Sequence, residues 1–103
     1  NLALLLDAQG KFGEAEPLYR RALLIREEQL GREHPDVATS LNNLAGLLKA
    51  QGKYGEAEPL YRRALGICEQ SLGASHPNTI TMQNNLEVLL EKMKDSGDRE
   101  KKS

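Results

Sequence analysis

The sequence predicts an all-α protein of stacked helix-turn-helix units, and three observations carry that prediction. A shift of 42 lays residues 1–42 on residues 43–84 with about two-thirds of the positions identical. Within each unit, apolar residues recur twice at helical spacing, and glycine or proline separates the runs. A third copy restarts at Asn85 as NLEVLLEKMK and then dissolves into DSGDREKKS, so the array ends there.

Taken in order, residues 1–9 read as an opening helix without the HPDVATSL half that a complete copy supplies. The sequence also opens on Asn1 with no Met, so a fragment or a processed chain is expected. A second helix is expected from Gly13, then the link LGREHPDVA. Residues 35–51 form the next helix, with Val37, Leu41, Leu44, Ala45 and Leu48 as its stripe. Gly52-Lys53 ends it, where a left-handed residue is wanted. Residues 55–72 repeat the pattern through Ala57, Leu60, Tyr61, Ala64, Leu65, Cys68 and Leu72, and Gly73 closes that helix. His34-Pro35 and His76-Pro77 place proline at a helix start, where its missing N–H costs nothing. Pro17 and Pro59 are read the same way, in the first turn of helices starting at Gly13 and Gly55; the alternative is a mild kink one turn in. The last helix, residues 77–94, carries Glu87 where the unit has Ala45 and Lys94 where it has Gly52, as a capping helix with a solvated outer face does. The expected organisation is a partial repeat at 1–34, a full repeat at 35–76, a capping helix at 77–94 and a disordered charged tail at 95–103.

Leu44-Ala45, Leu48, Gly52-Lys53-Tyr54, Ala57, Tyr61 and Ala64-Leu65, with LGREHPDVA and LGASHPNTI as links, make the pattern similar to the tetratricopeptide repeat. Phe12, Ala15, Tyr19 and Ala22-Leu23 are their counterparts. The unit is longer than the usual repeat of about 34 residues and resembles the form found in kinesin light chains and in bacterial proteins like them. That resemblance covers residues 1–94. It implies a right-handed superhelix, an α-α solenoid, acting as a non-catalytic scaffold for a protein or peptide partner. Kinesin light chains also carry a heptad segment that joins them to the motor chain; no sustained heptads occur here, so no motor role is inferred.

In such superhelices the first helices of the units line the concave side. Facing away from the core stripe at 100° per residue are Thr39, Asn43, Gly46 and Ala50, with Asn42 and Lys49 beside them. The counterparts are Asn1, Leu4 and Ala8 in the first unit and Thr81, Asn85, Val88 and Lys92 in the last. Asn1, Asn43 and Asn85 are expected to form a ladder of amides. An amide both donates and accepts, as the main chain of an extended peptide requires once it leaves water. Helices about 8 to 10 Å apart would meet a strand that advances about 3.3 Å per residue at every third residue. Leu4 and Val88 flank Gly46, and a shallow pocket for one apolar side chain is expected between them. Lys49 and Lys92 would attract an acidic flank, a field blunted by Asp7 and Glu91. Asn42 and Asn84 are open to solvation, to inter-repeat hydrogen bonding or to ligand contact. The expected affinity is micromolar, around −8 kcal/mol. The half-missing first unit predicts an unpaired apolar N-terminal edge, which upstream repeats or a second copy of the chain, as a homodimer or longer superhelix, would cover.

Composition narrows the rest. Among 103 residues, 14 Lys and Arg stand against 15 Asp and Glu, a formal charge of −1, so no basic field exists to neutralise phosphates and no nucleic-acid partner is expected. No apolar run approaches the roughly 20 residues that span a bilayer, and no membrane partner is expected. A lone Cys68 excludes an internal disulfide and suits a reducing, cytoplasmic setting. It falls on a buried stripe with no His to activate it, so it reads as core. His34 and His76 recur in the same link and read as turn or cap residues rather than metal ligands. Glu14, Glu16, Glu56 and Glu58 open helices, where negative charge favours the dipole. Arg20-Arg21 and Arg62-Arg63 read as solvated outer faces. No cofactor, metal or catalytic motif is expected, and the chain reads as not an enzyme.

Overall fold

The computed structural model describes residues 9–102, with side chains over residues 9–95. Asn1, Leu4 and the rest of residues 1–8, where an opening helix is expected, lie outside them. Four helices follow: α1 (Phe12–Leu30), α2 (Pro35–Ala50), α3 (Tyr54–Leu72) and α4 (Pro77–Lys102). Each packs on the next in chain order, α1 on α2, α2 on α3 and α3 on α4.

The breaks are chemical, as the sequence predicts. At the end of α2, Gly52 takes φ 80°, the Gly52 N–H donates to Lys49 O at 2.9 Å and the Lys53 N–H to Leu48 O at 2.8 Å. This paired closure needs a left-handed residue. Gly31 and Gly73 close α1 and α3 with φ 90° and 91° and ψ 153° and 156°, a region essentially reserved for glycine. At the starts of α2 and α4 the histidines act as caps. His34 Nδ1 accepts from the Asp36 N–H at 3.0 Å, and His76 Nδ1 from the Asn78 N–H at 3.1 Å. Each ring supplies an acceptor to one of the amides that a helix start leaves without a partner.

Two boundaries differ from the sequence reading. α1 and α3 begin at Phe12 and Tyr54, one residue early, and Pro17 and Pro59 lie inside them, beyond the first turn. The first-turn reading of these prolines is therefore corrected. Proline has no N–H for the carbonyl four residues back. That carbonyl belongs to Gly13 or Gly55, which is exposed in both units, so water can serve it. The last helix also continues past Lys94 to Lys102, where a tail without helix is expected. Asp-Arg-Glu-Lys-Lys contains no proline and is rich in good helix formers, and the Ser96-Gly97 pair before it weakens the helix without ending it.

The core divides α2 into two adjacent stripes. Val37, Ser40, Leu44 and Leu47 are buried, and their counterparts 42 residues on, Thr79, Met82, Leu86 and Leu89, stay buried in α4. Ala38, Leu41 and Ala45 are fully buried too, yet their counterparts Ile80, Gln83 and Glu87 are exposed. α4 packs on the helix before it, and among the described residues no helix follows it as α3 follows α2. The first stripe therefore faces the preceding helix and the second faces the following one. A buried leucine on either stripe contributes about 1.5–3 kcal/mol relative to exposure.

Candidate functional site

With both core stripes assigned, the remaining face of α2 and α4 is the exposed row that the sequence singled out. Thr39, Asn43 and Ala50 are exposed, and Asn42, Gly46 and Lys49 are half-buried. On α4, Thr81, Asn84, Val88, Glu91 and Lys92 are exposed and Asn85 is half-buried. Asn42 and Asn85 meet across the two helices. The Asn85 Nδ2 amide donates to Asn42 Oδ1 at 2.9 Å. Of the readings open for Asn42, inter-repeat hydrogen bonding is the one observed. The link joins positions that differ by one in repeat register, because 42 residues separate Asn43, not Asn42, from Asn85. The amides on the row thus have unequal freedom. Among the described residues the Asn43 side chain has no hydrogen-bond partner, while Asn42 and Asn85 have each committed part of their capacity. The hydroxyl of Thr81 is also committed, donating to Pro77 O at 3.0 Å within its own helix.

The notch at Gly46 has a wall that sequence reasoning missed. A Cβ built there would stand 3.6 Å from the Tyr61 hydroxyl, so the absent side chain leaves room beside a phenol. Tyr61 comes from α3 and is buried, and burial pushes its hydroxyl above the ordinary value of 10.0, keeping it protonated. The pairing of Gly46 with a tyrosine 15 residues on was hidden because only the antiparallel packing of α2 on α3 brings them together. Leu4, the other expected wall of the pocket, lies outside the described residues.

Charged contacts tie the units together on the second helices. Glu27 Oε2 accepts from Arg63 Nη2 at 2.6 Å, and Arg63 also donates to Arg32 O at 3.4 Å. Arg63 is therefore an inter-unit bridge, which corrects its reading as part of a solvated outer face. Glu16 likewise does more than open a helix. Its carboxylate accepts from Arg20 Nε at 3.1 Å and from Gln51 Nε2 and Lys53 Nζ at 3.4 Å, so it reaches the turn of the next unit. Burial opposes ionisation of Glu16, but the bonds from Arg20 and Lys53 outweigh it and hold the carboxyl below its ordinary value of 4.5. Cys68 is buried, and burial pushes its thiol up, away from the thiolate a nucleophile requires.

Among the described residues, no helix is long and apolar enough to cross a membrane. The tetratricopeptide repeat profile matches residues 1–70 and, overlapping, 41–98. No curated protein matches the chain. Among solved structures, BtubC (BKLC) from P. vanneervenii is similar with a TM-score of 0.82 and 35% identity, over 89% of this chain and 36% of that one. The chain therefore spans about a third of that protein's length. Repeats of this kind generally mediate contacts between proteins as non-catalytic scaffolds. With a 42-residue period, four described helices joined by glycine and His-Pro links, and these matches, the chain belongs to the tetratricopeptide repeat family in its kinesin light chain-like form.

Proposed function

We propose that this chain is a non-catalytic interaction module that takes an extended segment of a partner protein along a concave groove lined by its first helices. The array doing so is the partial unit at 1–34, the unit at 35–76 and the closing helix from Pro77. One observation carries the reading: the 2.9 Å bond between Asn42 and Asn85 holds two first helices side by side with further amides exposed around it. Asn43 offers a free amide to the peptide main chain, and Asn42 and Asn85 keep one donor-bearing and one accepting end between them. Thr39 and Ala50 are small enough to admit a backbone, and the Gly46 notch beside the Tyr61 hydroxyl receives one side chain. Lys49 and Lys92 favour an acidic flank.

Screening a library of fluorescent peptides against the chain by polarisation tests this. Binders in the micromolar range are expected, and Asn43→Ala and Asn85→Ala should each weaken them by about tenfold, the value of one net hydrogen bond of about 1.4 kcal/mol. Unchanged affinity of every selected peptide for both variants would remove the groove from consideration.

A second reading, self-association, is favoured by a different observation. Ile25 on α1 is 44% exposed, whereas its repeat counterpart Ile67 on α3 is 2% exposed. An apolar position that the fold covers in one unit is open in the other.

A further inference from the structure

We propose that the notch between Gly46 and Tyr61 selects, in the segment bound along the groove, a side chain ending in a carbonyl-type oxygen, the carboxylate or carboxamide of Asp, Glu, Asn or Gln. The inference rests on the groove reading and names the chemistry of its notch; it replaces the apolar occupant expected from the sequence. Gly46 lies in the interior of α2, where glycine is less favourable than any residue but proline. The backbone does not require it, because its φ is not positive, unlike that of Gly52 at the end of the same helix. Crowding does not require it either. A Cβ at this position would meet the Tyr61 hydroxyl at 3.6 Å, an ordinary van der Waals distance. The same register holds Leu4 in the first unit and Val88 in α4, so the repeat accepts an apolar side chain there. What the glycine supplies is access.

The atom it gives access to is polar. Tyr61 is 2% exposed, and its hydroxyl has no hydrogen-bond partner among the described residues. Among those residues the side-chain oxygen that is both sealed and unpaired belongs to Thr79, so the Tyr61 oxygen, though unpaired, still reaches the surface. Its ring is core while its tip opens at Gly46, which is itself half-buried.

A segment lying over the notch takes water away from that hydroxyl. An apolar side chain there leaves the hydroxyl without a partner, whereas an acceptor restores the bond. Burial holds the phenol above its ordinary value, so it stays protonated and donates. Asn43, one turn before Gly46, and Lys49, one turn after, offer further donors from the same face, and neither side chain has a partner among the described residues. An oxygen with two lone pairs suits this donor-rich frame. Glu91, the counterpart of Lys49 on α4, carries the opposite charge, so the frame rewards an acceptor and not a negative charge as such.

A position-scanning library of fluorescent peptides, read by polarisation against the chain and its Gly46→Leu and Tyr61→Phe variants, tests the proposal. Gly46→Leu installs the residue of the first unit and closes the notch, so the peptide position whose preferences it changes is the one over the notch. At that position Asp, Glu, Asn or Gln should bind the parent about tenfold more tightly than Leu or Val. Tyr61→Phe removes one oxygen and keeps the ring, so the thermal midpoint should hold while that preference disappears. Acceptor-bearing peptides should lose about tenfold, and their Leu-bearing versions nothing. A purely structural role for Tyr61 would weaken both sets equally, and that result overturns the proposal. So does a preference for Leu or Val over the notch, or the lack of any position that responds to Gly46→Leu. The groove reading survives each of those results so long as Asn43→Ala still weakens the peptides. If no peptide binds the parent, the groove reading itself fails and the notch proposal goes with it.

Discussion

α1 and α3 begin with almost the same residues, FGEAEPLYRRAL and YGEAEPLYRRAL, yet they live in different surroundings. Both bury Ala15 or Ala57 and Tyr19 or Tyr61 at matching positions. They part at the second half, where Ala64, Ile67 and Cys68 are core and Ala22, Ile25 and Arg26 are surface. The charges follow the same rule. Glu27 bridges to the next unit through Arg63, whereas Glu69 has no ion pair among the described residues. Closely similar helices acquire different energetics because burial belongs to the neighbour as much as to the residue.

The largest separation of the two should come from truncating the isoleucines. Ile67→Ala should cost about 2–4 kcal/mol in urea unfolding, and Ile25→Ala under about 1 kcal/mol. Equal losses would mean that α1 is covered in solution. Next come the arginines. Arg63→Ala leaves Glu27 with Arg32 at 3.7 Å and should cost about 1–2 kcal/mol, against about 0.5 or less for Arg21→Ala. Thermal melts of the two single variants read this directly.

A gain is expected at the other end of the molecule. Thr79 occupies the buried position that is Val37 in the preceding unit, and its hydroxyl has no hydrogen-bond partner among the described residues. Thr79→Val should stabilise the chain by about 1 kcal/mol, because the hydroxyl loses its water without replacement. No change in the unfolding midpoint would mean that the hydroxyl is already served.

The smallest effect concerns acid. Glu16 has its folded-state value held below the ordinary one, so its contribution is complete above the unfolded value and disappears as pH falls through the folded one. Stability measured from pH 6 downward should therefore fall less steeply in Glu16→Gln than in the parent. Glu58 keeps the partner within its own helix, Arg62 at 2.7 Å, but has Asp95 where Glu16 has Lys53.

Much of this architecture was legible in the residue order. The 42-residue period, the glycine stops and the His-Pro starts act locally, through φ angles and unpaired amides, and they place the starts of the four described helices and the ends of α2 and α3 to within a residue. The prolines misled because their local rule, the first turn, was overridden by a helix that starts a residue earlier and leaves the affected carbonyl to water. In the exposed row, periodicity found Thr39, Asn43 and Ala50. It could not find Tyr61 beside Gly46, or pair Asn42 with Asn85, because those contacts join residues from different helices.

Local chemistry, then, was enough to specify helices, their ends and the stripe each one buries, since backbone geometry and apolar spacing act within a few residues. Which copy of a repeated side chain is core, which glutamate finds an arginine, and which asparagine stays free were settled by packing. Those outcomes depend on the distance and angle between helices, and two copies of one sequence can differ in both.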